Sequence, residues 1–245
     1  MEDISRTTKR NFAIYMYRQR KAYRLKRRFD DSDVIFKTTD NGVVIPIQIQ
    51  NRRMAEGFTP RIGETKNSRK FKNTFHEARN KIGIDRRWRV DDSYTEADYD
   101  HAKKFMCDGA TYAIKPSGDI VSVCVPKDCS LKGKQILESA VQNGGDRLDA
   151  YEGIYGFYVK CGFEPVSWCK WNDDYAPDDW KKANGLTGDS WKGKELNLDV
   201  KREDIIFYKY TGKRHTESVD EFKQRVQASN DYDEAQVKRD NSIKG

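Results

Sequence analysis

No run of about 18 apolar residues occurs in this 245-residue chain, so no segment reads as a transmembrane helix. The opening Met1-Glu2-Asp3-Ile4 lacks the apolar core of a secretory signal, and the expected location is cytoplasmic. Histidine is scarce. His76, His101 and His215 are too dispersed to form a triad or a metal site by any spacing rule. The five cysteines (Cys107, Cys124, Cys129, Cys161 and Cys169) are odd in number and include no CxxC pair with matching histidines. That pattern argues against zinc and against a disulfide framework, and for reduced, mostly buried thiols. No metal is expected, and no internal repeat is visible.

Aliphatic residues are also in short supply, with 36% hydrophobic residues, 35% charged and a mean hydropathy of −0.94. Aromatics compensate. They make up 12% of the chain, with 13 Tyr, 11 Phe and 5 Trp, so a core can be built from rings. Charge is uneven along the chain. Residues 1–90 hold 23 Lys and Arg against 10 Asp and Glu, a net of +13, and the remainder is net −6. The front points to a polyanionic partner, or to attraction between the two halves.

Residues 5–29 read as a basic helix, with Phe12, Tyr15, Met16 and Tyr23 near one face. Arg18, Arg20, Lys21, Arg24, Lys26, Arg27 and Arg28 occupy the polar face. Such a helix can lie along phosphates, dock on an acidic protein surface or simply present a solvated face, so nucleic acid and an acidic protein are the candidate partners of residues 1–33. No membrane partner is expected. Val34 to Gln50 reads as a hairpin around Asp40-Asn41-Gly42, with Pro46 marking an edge strand or a bulge. Residues 51–70 read as a linker.

Three regions are expected: 1–67, a basic helix and hairpin; 68–213, a folded domain with an insertion at 172–201; and 214–245, a charged tail. Within the second, Phe71, Phe75, Ala78 and Ile82 suit a helix, and Trp88-Arg89-Val90 a strand. A helix is expected over about 95–107 through Tyr99, Ala102, Phe105 and Met106. Ala110–Lys115 and Asp119–Val125 read as strands around Pro116-Ser117-Gly118. A helix over 134–143, a strand over 147–151, a helix over 153–160 stopped by Gly162, and strands over 163–171 and 202–212 follow. In the tail, Val219, Phe222 and Val226 support at most a marginal helix.

The order strand, Gly-containing turn, helix, strand, helix, strand suits an anion. A splayed strand, then free N–H groups at a helix start, makes an anion site. The turn is Ser130-Leu131-Lys132-Gly133-Lys134, in which two lysines add charge and Gly133 permits close approach.

From Trp88 to Gly212 the chain resembles a divergent member of the GNAT (Gcn5-related) N-acetyltransferase superfamily. The resemblance rests on Phe157-Tyr158-Val159-Lys160-Cys161-Gly162-Phe163-Glu164-Pro165-Val166, similar to that family's F-Y-x-x-x-G-F run, and on the turn pattern Q/R-x-x-G-x-G/A. In the turn, Gly133 stands at the first glycine, Ser130 at the Q/R position and Gln135 at the second Gly/Ala. The chain is also similar to proteins of phages or mobile elements of Gram-positive bacteria. The resemblance implies an α+β fold with a mixed, mainly antiparallel sheet flanked by helices, here extended by the basic helix and hairpin. It implies acetyl-CoA as cofactor, with the backbone of Val123 and Val125 on the pantetheine arm. Lys132, Gly133, Lys134 and Gln135 would lie at the pyrophosphate, and Tyr158 would be the general acid.

No general base stands out, and Asp149 and Glu152 are the candidates. Cys124, in an apolar strand, reads as packing rather than as a nucleophile. Three functions stay open: an acetyltransferase acting on an amine, a non-catalytic binding or adaptor protein, and a nucleic-acid-binding protein that uses this half as scaffold.

Overall fold

Phe71, Phe75 and Ala78 recur at helical spacing, and α1 (Ser68–Asn80) buries all three. Asn67 caps it by accepting a hydrogen bond from the Lys70 N–H at 2.8 Å. Each phenylalanine removed from water contributes on the order of 2 kcal/mol. The computed structural model describes residues 62–244 together with the strands β1 (Ile35–Thr38) and β2 (Val44–Ile47). The chain divides into two units, Met1–Thr59 and Pro60–Gly245. In the first, β1 and β2 pair antiparallel in regular register with Phe36 opposite Pro46, so the proline sits in an edge strand without a bulge. The basic helix expected over 5–29 lies outside the described residues.

The second unit is α+β. One antiparallel sheet has the order β3-β4-β5-β6, from β3 (Gly63–Thr65), β4 (Lys103–Cys107), β5 (Ala110–Ile114) and β6 (Ile120–Cys124). A second has the order β7-β9-β8, from β7 (Arg147–Tyr151), β8 (Phe163–Cys169) and β9 (Ile205–Tyr210). Around them lie α1, α2 (Ile84–Arg87), α3 (Gly133–Gln142), α4 (Tyr155–Lys160), α5 (Asp178–Ala183), α6 (Val219–Arg225) and α7 (Tyr232–Lys244). The main core joins Tyr112, Ile136, Leu137, Leu148, Phe163 and Tyr208. Gly162 ends α4 at φ +92, where an added Cβ would lie 3.1 Å from Gly212 Cα, so only glycine serves there.

Three expectations are corrected. The segment 95–107 is not a helix. Asp98 accepts from the Thr95 N–H at 2.6 Å and closes one 3-10 turn at Ala97–Tyr99, and β4 follows, paired on both edges. The apolar spacing that suggested a helix comes from that turn and an inward-facing Phe105. Trp88-Arg89-Val90 is not a strand but the turn after α2, with Trp88 buried against Trp180 and Trp191. The 172–201 insertion closes over this cluster and contributes α5. Residues 214–244 are not a tail: α6 buries Phe222 against Tyr155, and α7 lies on the second sheet. Polar contacts hold α7 there. The Ser167 hydroxyl donates to Ala235 O at 2.6 Å, and the Arg239 guanidinium, 1% exposed, ion-pairs with Asp119 at 2.7 Å. No apolar stripe marks such a helix.

Candidate active site

The two sheets meet at one end and part at the other. Asp119, just before β6, bridges Arg147 at the start of β7 in parallel fashion, and the Asp146 N–H donates to Gly118 O at 3.0 Å. Further along, Thr111 pairs with Cys124 and Ala113 with Val121, so Ser122 and Val123 both face Tyr112. This bulge lies in β6, and among the described residues the bridge at Asp119 and Arg147 is where the pairing of the two sheets ends. Ser122 sits at φ +54, a conformation costing roughly 1–3 kcal/mol for a residue with a side chain. Two contacts hold it there: the Ser122 and Tyr99 hydroxyls lie 2.6 Å apart, and the Thr111 hydroxyl donates to Ser122 O at 3.1 Å.

The parting leaves a cavity of about 240 Å³, lined by Val121, Val123, Asp149, Tyr151, Tyr158 and Tyr232 among others. Tyr158 reaches it from α4, 8% exposed, its ring 5.4 Å from that of Tyr208. Burial pushes its phenol well above the usual range, with the Asp149 charge adding to the shift, so the hydroxyl keeps its proton at neutral pH. Asp149 comes from β7, and burial raises its carboxyl to about 6. The Arg239 charge and a hydrogen bond with Tyr232 oppose that rise, and the charges of Asp119 and Asp91 add to it. A group that stays protonated and a carboxylate that titrates near 6 thus share one cavity, the separation that acid and base roles require.

The other candidates fall elsewhere. Glu152 does not line the cavity; it pairs with the Lys223 ammonium, which also reaches Asp204 at 2.6 Å. Val125 is half-buried at the edge of the main core. Lys132, Gly133, Lys134 and Gln135 open α3, outside the cavity wall. Phe157 links the two regions. An added Cβ on Gly133 would meet its ring at 3.0 Å, and the next residue is Tyr158.

The Lys132 N–H donates to Gln135 Oε1 at 2.9 Å, and the Ser130 N–H and hydroxyl donate to Asp108 at 2.9 and 2.8 Å. Cys124 packs beside Phe75 and Ala78, and burial pushes its thiol up to about 12, which disfavours the nucleophilic thiolate. Among the described residues, no group of three or more His, Cys, Asp or Glu is placed to hold a metal. No helix among them is long and apolar enough to cross a membrane. Arg18, Arg20, Lys21, Arg24, Lys26, Arg27 and Arg28 lie outside the described residues.

Sequence reasoning missed Arg239 and Tyr232, which belong to a segment with no apolar rhythm. It also missed a second cavity, of about 570 Å³, beside the first. Trp88, Tyr175, Asp92 and Asp178 line it, and it shares Val90, Asp91 and Tyr151 with the first. Comparison of the chain with protein-family models, curated proteins and solved structures finds no match.

Proposed function

We propose that this chain is an acetyl-CoA-dependent N-acetyltransferase of the GNAT type, acting on an amine. The observation that carries the reading is the cavity between the parted strands, which Tyr158 and Asp149 both line. The order of elements from β6 to β9 is compatible with it, with strand, helix, strand, helix and strands in sequence and Tyr158 on the second of those helices. β6 and β7 are edge strands of their sheets, and their main-chain groups beyond the closed end suit an extended ligand bearing amides.

The residues present fit the cofactor. The N–H groups of Gly133 and Lys134 open α3 and have no partner within the helix. Lys132 and Lys134 are exposed beside them, although Lys134 also lies 3.6 Å from Glu138. These residues would hold the pyrophosphate, with Gln135 yielding its hold on the Lys132 N–H, and Val123 and Val125 would hold the pantetheine arm through their backbone. The cofactor supplies an acetyl group activated as a thioester. Asp149 takes the proton from the amine nitrogen, a role open to it above about pH 6. Tyr158 donates its hydroxyl proton to the departing sulfur. The second cavity, which meets the first at Asp91 and Tyr151, is the route for the amine.

Calorimetry with acetyl-CoA tests the reading. Binding is expected, and Tyr158→Phe lowers kcat while leaving that affinity nearly intact. A second reading is a non-catalytic binding or adaptor protein whose residues 1–33 contact nucleic acid or an acidic protein surface. What favours it is the occupied turn, where Asp108 and Gln135 already take the N–H groups of Ser130 and Lys132. Absence of heat at millimolar acetyl-CoA selects this second reading.

A further inference from the structure

Three tyrosines neighbour one another behind the cavity, two from α4 and one from β9. Tyr158 forms part of its wall, the Tyr208 ring lies 5.4 Å from the Tyr158 ring, and the Tyr155 ring lies 6.2 Å from that of Tyr208. Tyr208 is 0% exposed and Tyr155 5%, and neither hydroxyl has a hydrogen-bond partner. Packing alone does not account for them. Phenylalanine fills the same space with no polar atom to bury, and each unpaired buried hydroxyl is a cost to stability. Beyond Tyr155 are the charges of Glu217, Arg225 and Glu221 around α6, and the Arg225 side chain is 59% exposed. The three rings are therefore successive neighbours between the cavity and the charged groups around α6.

We propose that Tyr208 and Tyr155 are positioning residues that form, with ordered water between their hydroxyls, a proton relay to the oxygen of Tyr158. The proposal rests on the acetyl-transfer reading. Once the Tyr158 O–H has given its proton to the departing sulfur, the Tyr208 O–H donates to Tyr158 Oη and the Tyr155 O–H donates to Tyr208 Oη. A solvent proton at the Arg225 and Glu217 end then restores Tyr155. The proton taken from the amine leaves from Asp149 to solvent, so charge and protons balance over the cycle. A water held between buried hydroxyls makes hydrogen bonds nearly as good as direct ones, and the relay requires one wherever two of these hydroxyls do not touch.

The test uses Tyr208→Phe and Tyr155→Phe in the full chain. The first turnover is expected at the wild-type rate, because Tyr158 starts each cycle protonated. The steady-state kcat falls on the order of tenfold with KM unchanged, and a small buffer acid restores it. Loss of one hydroxyl from a bonded network also lowers the melting temperature by about 3 °C or more. An unchanged steady-state kcat overturns the relay, and so does a first turnover slowed as much as the later ones. If the wild-type chain transfers no acetyl group, the acetyl-transfer reading falls and the relay with it, whereas acetyl transfer with an unchanged steady-state kcat in both variants removes the relay alone. A Tyr208→Phe protein that melts at or above wild type has no network to carry protons, and the relay falls too. A lower melting temperature supports the network.

Discussion

Asp149→Asn separates stability from function at one atom. The Asp149 carboxyl is raised from an ordinary 3.8 to about 6, chiefly by burial. Between those values the folded chain binds a proton that the unfolded chain has lost, so stability falls as pH rises from about 4 through about 6. A rise of that size corresponds to about 3 kcal/mol of lost stability at pH 7.5, as an upper bound. Asparagine cannot ionise and removes this loss, although Arg239 then faces a neutral amide and part of the gain is returned. At about 2–4 °C per kcal/mol for a domain of this size, the variant is expected to melt several degrees higher at pH 7.5. Its advantage disappears at pH 4. If Asp149 is the base, kcat/KM falls by about 10²–10⁴, and the wild-type rate rises with pH through about 6. Melting curves from pH 4 to 8, paired with the pH–rate profile, test both halves. A variant with the wild-type pH dependence of melting, or with full activity, refutes the reasoning.

Two further predictions concern the supports of the site. Gly133→Ala places a methyl group 3.0 Å from the Phe157 ring. That ring is 39% exposed and can turn, so little stability is lost. The turned ring crowds the helix start, and acetyl-CoA affinity by calorimetry drops about tenfold, near 1.4 kcal/mol. Arg239→Met leaves Asp119 and Asp240 facing an apolar side chain in a place where the guanidinium is 1% exposed. Denaturant unfolding is expected to show a loss of about 3–5 kcal/mol, the cost of a buried charge left without its partner.

Where local rules decide structure, the sequence is legible. Pro116-Ser117-Gly118 turns one hairpin, Asn143-Gly144-Gly145 ends α3, and the strand expected at 147–151 matches β7 to the residue. The run from Phe157 to Val166 similarly marks α4, Gly162 and β8. Elements held by polar or long-range contacts are not legible. Lys104 is 2% exposed in β4 because its ammonium donates to Tyr99 O at 2.5 Å, a partner no hydropathy pattern reveals. α7 is fastened by Arg239 and Ser167 rather than by an apolar face.

The same limit applies to the site. Tyr158 is marked by its motif, whereas Asp149 stands out only once its neighbours are placed, because its raised carboxyl is a property of burial. Glu152, equal to it as a candidate in sequence, is committed to Lys223.

Between β6 and β7 main-chain pairing stops after the closed end, so the second unit carries a seam across which its two sheets share few backbone hydrogen bonds. The shared core and the Arg239–Asp119 pair still hold the sheets together, so the expected mark of the seam is faster amide exchange along the facing edges of β6 and β7 than inside either sheet. A ligand that spans the wedge and pairs with both edges would act as a missing strand, adding main-chain hydrogen bonds to a core the two sheets already share. Its stabilisation then grows with the logarithm of its concentration.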